Sequence, residues 1–194
     1  GLTVSPGFID VHTHDDAQVL RDPQMLAKIS QGVTTVITGN CGLSLVPWVT
    51  QHPISPLDLL HTTEFKYPSL NAYAKAIEAA KPSVNVAALI GHTTLRAANM
   101  TDLNQAATEA EITAMAAHLA RAMQDGALGL SSGLFYQPAA AADAEEMKAL
   151  TRVVGQHGGV YVTHMRSEMD SIIEAMHEAA DTAKAGRTPW ILSH

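Results

Sequence analysis

The feature that most limits how this chain can fold is an alternation. Six short apolar runs recur along it: "GFIDVHTH" (7–14), "GVTTVITG" (32–39), "VNVAALIGH" (84–92), "GALGLSSG" (126–133), "GGVYVTHM" (158–165) and "PWILSH" (189–194). They are rich in β-branched residues and bounded by Gly or Pro, and read as strands buried on both faces of a parallel sheet. Amphipathic stretches of helical length lie between them. In 109–125, Ile112, Met115, Ala116, Leu119 and Met123 share one face, Thr108 and Glu111 form a capping box, and Gly126 follows the last turn. Asp22-Pro23 predicts the start of another helix that Gly32 closes. Ser69 opens one that Pro82 stops, and Asp143 with Glu146 opens one that ends at Gly158. A fifth covers about 170–185, with Ile172, Ile173, Met176 and Ala180 facing inward. Strand and helix repeat five times before the sixth strand, which implies right-handed crossovers and a parallel sheet. Both an open doubly wound sheet and a barrel satisfy that pattern. No glycine-rich dinucleotide fingerprint follows the first strand, which favours the barrel. The long connection at about 43–68 reads as a strandless loop over one end of the sheet.

Composition narrows the function. A hydrophobic content of 46% in 194 residues is that of a globular domain. The formal charge of −7 argues against a nucleic-acid partner, and no apolar stretch reaches membrane-spanning length, so a small molecule is the expected partner. The single cysteine, Cys41, has no internal disulfide partner, which makes a reducing, cytoplasmic compartment the default and leaves the thiol available for chemistry.

The polar residues fall at strand ends. His12 and His14 have the same parity and point the same way from the end of the first run; Cys41 follows the second run by two residues. His92, His164 and His194 end the third, fifth and sixth runs, and the fourth departs with "SSG". Taken singly, a strand-end histidine is ordinarily a hydrogen-bonded structural residue and a buried cysteine a small hydrophobe. Five metal-capable ends out of six are a different matter, because a parallel barrel gathers all its C-terminal strand ends on one rim. Imidazole and thiolate together suit zinc best.

Here "PGFIDVHTH" resembles the first strand of the amidohydrolase superfamily of metal-dependent hydrolases. Together, "HTHDD", "KISQGVTTVITGNCGLS", "GHTTLR", "SSGLFYQPA" and "GGVYVTHMRSE" resemble the N-acyl-D-amino-acid deacylases, or D-aminoacylases, through nearly the whole chain. The resemblance implies a TIM-barrel hydrolase, here about the first six strands and five helices of a (β/α)₈ barrel. Residues 1–194 would be a single partial barrel domain, lacking strands seven and eight and a small β-domain. It implies hydrolysis of the amide bond of N-acyl-D-amino acids. It also implies that Cys41, on strand two, replaces the strand-four lysine or glutamate that bridges metals in most relatives. Cys41, His164 and His194 would hold one tight Zn²⁺, and His12 and His14, sharing Cys41, a second, weaker one. Tyr136 would line the substrate pocket, with His92 and Arg96 of the third-strand motif as further substrate-binding candidates. Arg166 would either touch the site or brace it, and Asp10 would be a buried support. The family's catalytic aspartate, on strand eight, has no counterpart in these residues, so the chain alone is expected to be inactive. Two other readings stay open: a cyclic-amide amidohydrolase of the hydantoinase or dihydroorotase kind, and a non-catalytic metal-binding barrel fragment.

Overall fold

In the computed structural model, which describes residues 1–193, six strands form one parallel sheet in the order β1-β2-β5-β6-β7-β8. They are β1 (Phe8–Asp10), β2 (Val33–Thr38), β5 (Asn85–Gly91), β6 (Gly129–Gly133), β7 (Val160–His164) and β8 (Trp190–Leu192). Each pairs with the next in sequence, and the order never reverses. A doubly wound sheet reverses its strand order at a switch point. Unbroken succession is the wall of a barrel, and the sheet here is six strands of such a wall.

The helices form where their caps and periodicity dictate. Helix α3 (Leu70–Ala80) starts at Ser69, whose hydroxyl accepts from the Ala72 amide. Helix α5 (Glu109–Gln124) starts at the Thr108–Glu111 capping box and buries Met115, Leu119 and Met123. Helix α6 (Ala144–Gln156) starts at Asp143, which accepts from the Glu146 amide. Helix α7 (Ile172–Gly186) completes the succession, with α5 packed on α6 and α6 on α7.

Four features differ from the sequence expectation. The segment after Asp22 is not one helix: Asp22 caps the C-terminus of α1 (Gln18–Arg21), and α2 spans only Leu26–Ile29. Met25, buried in the core, takes a left-handed φ of 47°, which no continuous helix allows. Next, 43–68 is not strandless. It carries an antiparallel pair, β3 (Val49–Thr50) with β4 (Phe65–Lys66), and a 3₁₀ turn at Leu57–Leu60. Leu43, Leu45, Val46, Leu57, Leu60 and Phe65 are all core residues.

The third difference is the face of α7. Ile172, Ile173 and Met176 are exposed, while Ala175, Ala179, Thr182, Ala183 and Gly186 are buried. The small residues let α7 approach α6 so closely that a Cβ on Gly155 would collide with the Gly186 carbonyl, and the Thr151 hydroxyl reaches the Thr182 carbonyl at 2.9 Å. Backbone proximity sets this face, and larger side chains are turned away. Finally, burial on both faces holds for β6 but not for the outer strands: Phe8 and Ile9 of β1, and Trp190 and Ile191 of β8, are exposed because these strands form the two edges of the sheet.

Candidate metal centre

At the C-terminal end of β2 the chain turns sharply through Gly39-Asn40-Cys41-Gly42. Gly39 and Gly42 have φ of 79°, and Cys41, with a side chain, also takes the left-handed region at 53°. For a residue with a Cβ that conformation costs about 1–2 kcal/mol, so the surroundings must hold it. The Gly39 amide donates to the buried Asp16 carboxylate at 3.1 Å. The Asn40 side-chain amide donates to the carbonyls of Ile37 (2.9 Å) and Thr13 (3.4 Å). The Ser131 hydroxyl, from β6, accepts from the Gly42 amide at 2.9 Å and donates to the Gly39 carbonyl. The neighbouring strands press close: a Cβ on Gly91 would meet the Gly42 carbonyl, and one on Gly133 the Cys41 carbonyl. Only glycine fits at either place.

Held this way, the Cys41 sulfur lies 3.2 Å from His12 Nε2. The His12 and His14 rings meet edge to face, centroids 5.7 Å apart. The donor atoms of His12, His14 and Cys41 all lie within 4.8 Å of one another. Both histidines stand just beyond β1, where Thr13 between them still bonds to Ile37 of β2 through its amide and its hydroxyl. Asp10 accepts from the His12 amide at 3.3 Å and, with Asp15, clasps Lys28 at 2.8 and 3.0 Å, so it is a half-exposed support. Burial pushes the Cys41 thiol up to about 11, and the Glu168 charge adds to it. A buried sulfur with two imidazoles is the soft and borderline donor set that zinc favours, and a cation there compensates the thiolate that burial alone disfavours. The residues present fit the metal.

The same rim carries His164, at the end of β7. Phe135 stacks on its ring (centroids 5.4 Å, 20° between planes) and Tyr136 meets it edge-on at 4.9 Å. The Glu168 carboxylate is 3.1 Å from His164 Nε2. Burial raises the Tyr136 hydroxyl above its ordinary value, and the nearby Cys41 and Glu168 add to the rise. His164 is not part of the three-residue donor group among the described residues. His194 lies outside the described residues.

His92 and Arg96 are elsewhere. Rather than ending a strand, His92 begins helix α4 (His92–Asn99), which leaves β5 without a loop. Neither side chain is solvent-accessible, and both pair with Glu146 of α6: His92 Nε2 at 2.7 Å, and Arg96 Nη1 at 2.8 and 2.6 Å to the two oxygens. Their place is a closed ion cluster, not a surface a substrate reaches. Arg166 likewise braces, donating to Glu178 and to the carbonyls of Ala140 and Ala142. Three residues that carry no metal-ligand signal in the sequence also shape the rim: Glu168, Asp16 and Ser131. Glu168 is four residues beyond His164, and that spacing was its only signal; Ser131 sits in the "SSG" run that broke the histidine pattern. No helix among the described residues is long and apolar enough to cross a membrane.

Comparison with known proteins agrees with this architecture. The model of the amidohydrolase family matches residues 1–189. The D-aminoacylase of Alcaligenes xylosoxydans xylosoxydans is 48% identical over 195 residues, covering 100% of this chain and 40% of that protein. The N-acyl-D-aspartate deacylase of the same organism is 49% identical over 181 residues, 92% of this chain and 36% of its own length. Among solved structures, the N-acyl-D-glutamate deacylase from Bordetella bronchiseptica, complexed with zinc and a phosphonate inhibitor, superposes with a TM-score of 0.92 at 40% identity, over 97% of this chain and 40% of that one. The chain thus spans about 40% of the length of the relatives it matches.

Proposed function

The chain belongs to the amidohydrolase family, and from that premise we propose that it carries the metal-binding half of a zinc-dependent deacylase of N-acyl-D-amino acids. The observation that carries the proposal is the placement of Cys41. Its sulfur is held against His12 at 3.2 Å by a turn that glycines and Ser131 lock. In this reading Cys41, His164 and His194 would hold the tighter zinc, and His12 and His14, with Cys41, would form a weaker second position. When bound, zinc supplies Lewis-acid activation of water and of the amide carbonyl.

The chain's own residues do the rest of what is assigned to them here. Tyr136 stands beside His164 with its hydroxyl protonated at neutral pH, and donates a hydrogen bond to the amide oxygen as negative charge gathers there. Phe135 and Tyr136 wall the His164 ring and exclude water from one side of it. Hydrolysis adds water across the C–N bond and sends a proton to the leaving amine. That proton is assigned to the strand-eight aspartate that the family resemblance implies. A reducing, cytoplasmic setting keeps the Cys41 thiol available as a ligand.

The cyclic-amide reading is weaker on a specific ground. Those enzymes are expected to use a strand-four lysine, and here the strand-four side chains are committed to scaffolding: Ser131 to the Cys41 turn, Ser132 to Tyr161 and Thr163, both at 2.8 Å. The test is a substrate panel on the full-length reading frame. N-acetyl-D-amino acids are hydrolysed, their L-enantiomers are not, chelation abolishes turnover and zinc restores it. Hydrolysis of hydantoins or dihydroorotate with acyl-D-amino acids untouched overturns the assignment.

A further inference from the structure

Helix α4 touches the Cys41 turn on one side and an ion cluster on the other. Toward the turn, the Thr94 amide donates to the Gly42 carbonyl at 3.3 Å. The Thr94 hydroxyl donates to the Ser44 carbonyl at 2.9 Å and accepts from the Ser44 amide at 3.0 Å. The Ser44 hydroxyl accepts from the amide of Gly91, the residue just before the helix, at 2.9 Å. Toward α6, His92 and Arg96 grip both oxygens of Glu146, and all three side chains are completely buried. Arg96 also donates to the carbonyls of Leu103 (3.1 Å) and Gln105 (2.6 Å), and the Ala107 amide approaches Glu146 at 3.4 Å.

Burying three ionisable groups is an expensive way to hold two helices together, since apolar packing of similar volume is often as stable. What such a cluster adds is directional constraint: a carboxylate bound by an imidazole and a guanidinium fixes distance and angle, as a patch of leucines does not. The element it constrains is the one that grips the Cys41 turn.

We propose that Glu146 is a positioning residue for Cys41, acting through α4. Its two oxygens set the place of His92 and Arg96 and so of the helix. The helix, through Thr94 and Ser44, holds residues 39–44 in the left-handed turn that brings the Cys41 sulfur to His12. The functional meaning rests on reading Cys41 as a metal ligand; the mechanical link does not.

Cys41 is the only cysteine of these 194 residues and is buried, so the rate at which iodoacetamide alkylates it in the full-length protein, read on the Cys41 peptide by mass spectrometry under native conditions and without metal, reports opening of the turn. Three variants decide the matter. Glu146→Gln removes the charge at the centre of the cluster. Thr94→Val cuts the link at its other end and leaves every charge in place. Thr151→Val, on α6 like Glu146, loses the bond to the Thr182 carbonyl and loosens α6 against α7 without touching α4. The first two are expected to raise the Cys41 alkylation rate by about tenfold, and Thr151→Val to lower thermal stability with the rate unchanged. Zinc affinity, measured by competition with a chromophoric chelator, is expected to fall about 10–100-fold in the same two variants, the range for residues that orient a ligand without binding the metal. A folded Glu146→Gln protein with the parental alkylation rate overturns the proposal. If that variant does not fold, Thr94→Val with the parental rate overturns it, as does a Thr151→Val rate raised as far as the other two. Should the parent bind no zinc at all, the deacylase reading falls while the thiol rates still decide the link.

Discussion

Ser131 accepts a hydrogen bond from the Gly42 amide at 2.9 Å, across 89 residues of sequence, and its hydroxyl hydrogen goes to the Gly39 carbonyl. One hydroxyl thus closes both ends of the turn that carries Cys41. The fourth strand, which supplies no metal-capable side chain, contributes to the rim by holding the cysteine that another strand supplies.

Replacing Ser131 by Ala should therefore do two things. It leaves a buried amide and a buried carbonyl without their partner, which costs about 1–3 kcal/mol, read as a lower urea midpoint. It also frees the turn, and zinc affinity is expected to fall about 10–100-fold. Unchanged affinity in a destabilised variant would show that Ser131 supports the fold alone.

Cys41→Ser tests the sulfur itself. The variant keeps the volume and loses the soft donor, so the thiolate-to-metal band of the Co²⁺-substituted protein should vanish, and zinc affinity should fall further than the roughly 100-fold upper end for orienting residues. Absence of the band from the Co²⁺-substituted parent would place the metal elsewhere.

Gly133→Ala adds one methyl group aimed at the Cys41 carbonyl. Gly133 has no positive φ, so the collision is the whole effect. We expect about 1–3 kcal/mol of destabilisation, as for overpacking, together with weakened zinc binding. A thermal melt and a chelator titration measure the two effects separately.

The Glu146 cluster predicts an acid limb in the stability curve. Burial by itself would push this carboxyl up; His92 and Arg96 outweigh it and hold it at about 2, below the ordinary 4.5. A depressed folded-state pKa means that the contribution is fully present above about pH 4.5 and is lost as pH falls from there through about 2. The lost part is about 3 kcal/mol. Denaturant midpoints of the parent and Glu146→Gln should differ by a constant amount above pH 5 and converge toward pH 2. Parallel curves down to pH 2 would show that the carboxylate is not held this way.

Much of the fold was legible along the chain because its causes are local. Ser69, the Thr108–Glu111 pair and Asp143 each cap a helix through groups three residues away, and the six short runs bounded by Gly or Pro announce six strands whatever lies between them. The amidohydrolase resemblance was legible for the same reason, since "PGFIDVHTH" and "GNCG" are short contiguous runs. The strand-end reading also singled out His12, His14 and Cys41, which the structure brings together.

Tertiary structure alone decided the rest. His92 looked like one more strand-end ligand, yet the helix it begins turns it to Glu146, 54 residues away. Ile172, Ile173 and Met176 had the inward periodicity, but Ala175, Ala179 and Ala183 won the contact because α6 and α7 pack almost backbone to backbone. Ser131 read as a gap in a pattern and is the clamp on the cysteine. In each case the deciding partner is 31 to 89 residues distant, as with Thr151 and Thr182, Glu146 and His92, or Ser131 and Gly42. Residue type and spacing determine which local element forms and which side chains carry chemistry. Which of those side chains meet depends on strand register and helix approach, and these are set only when the layers pack.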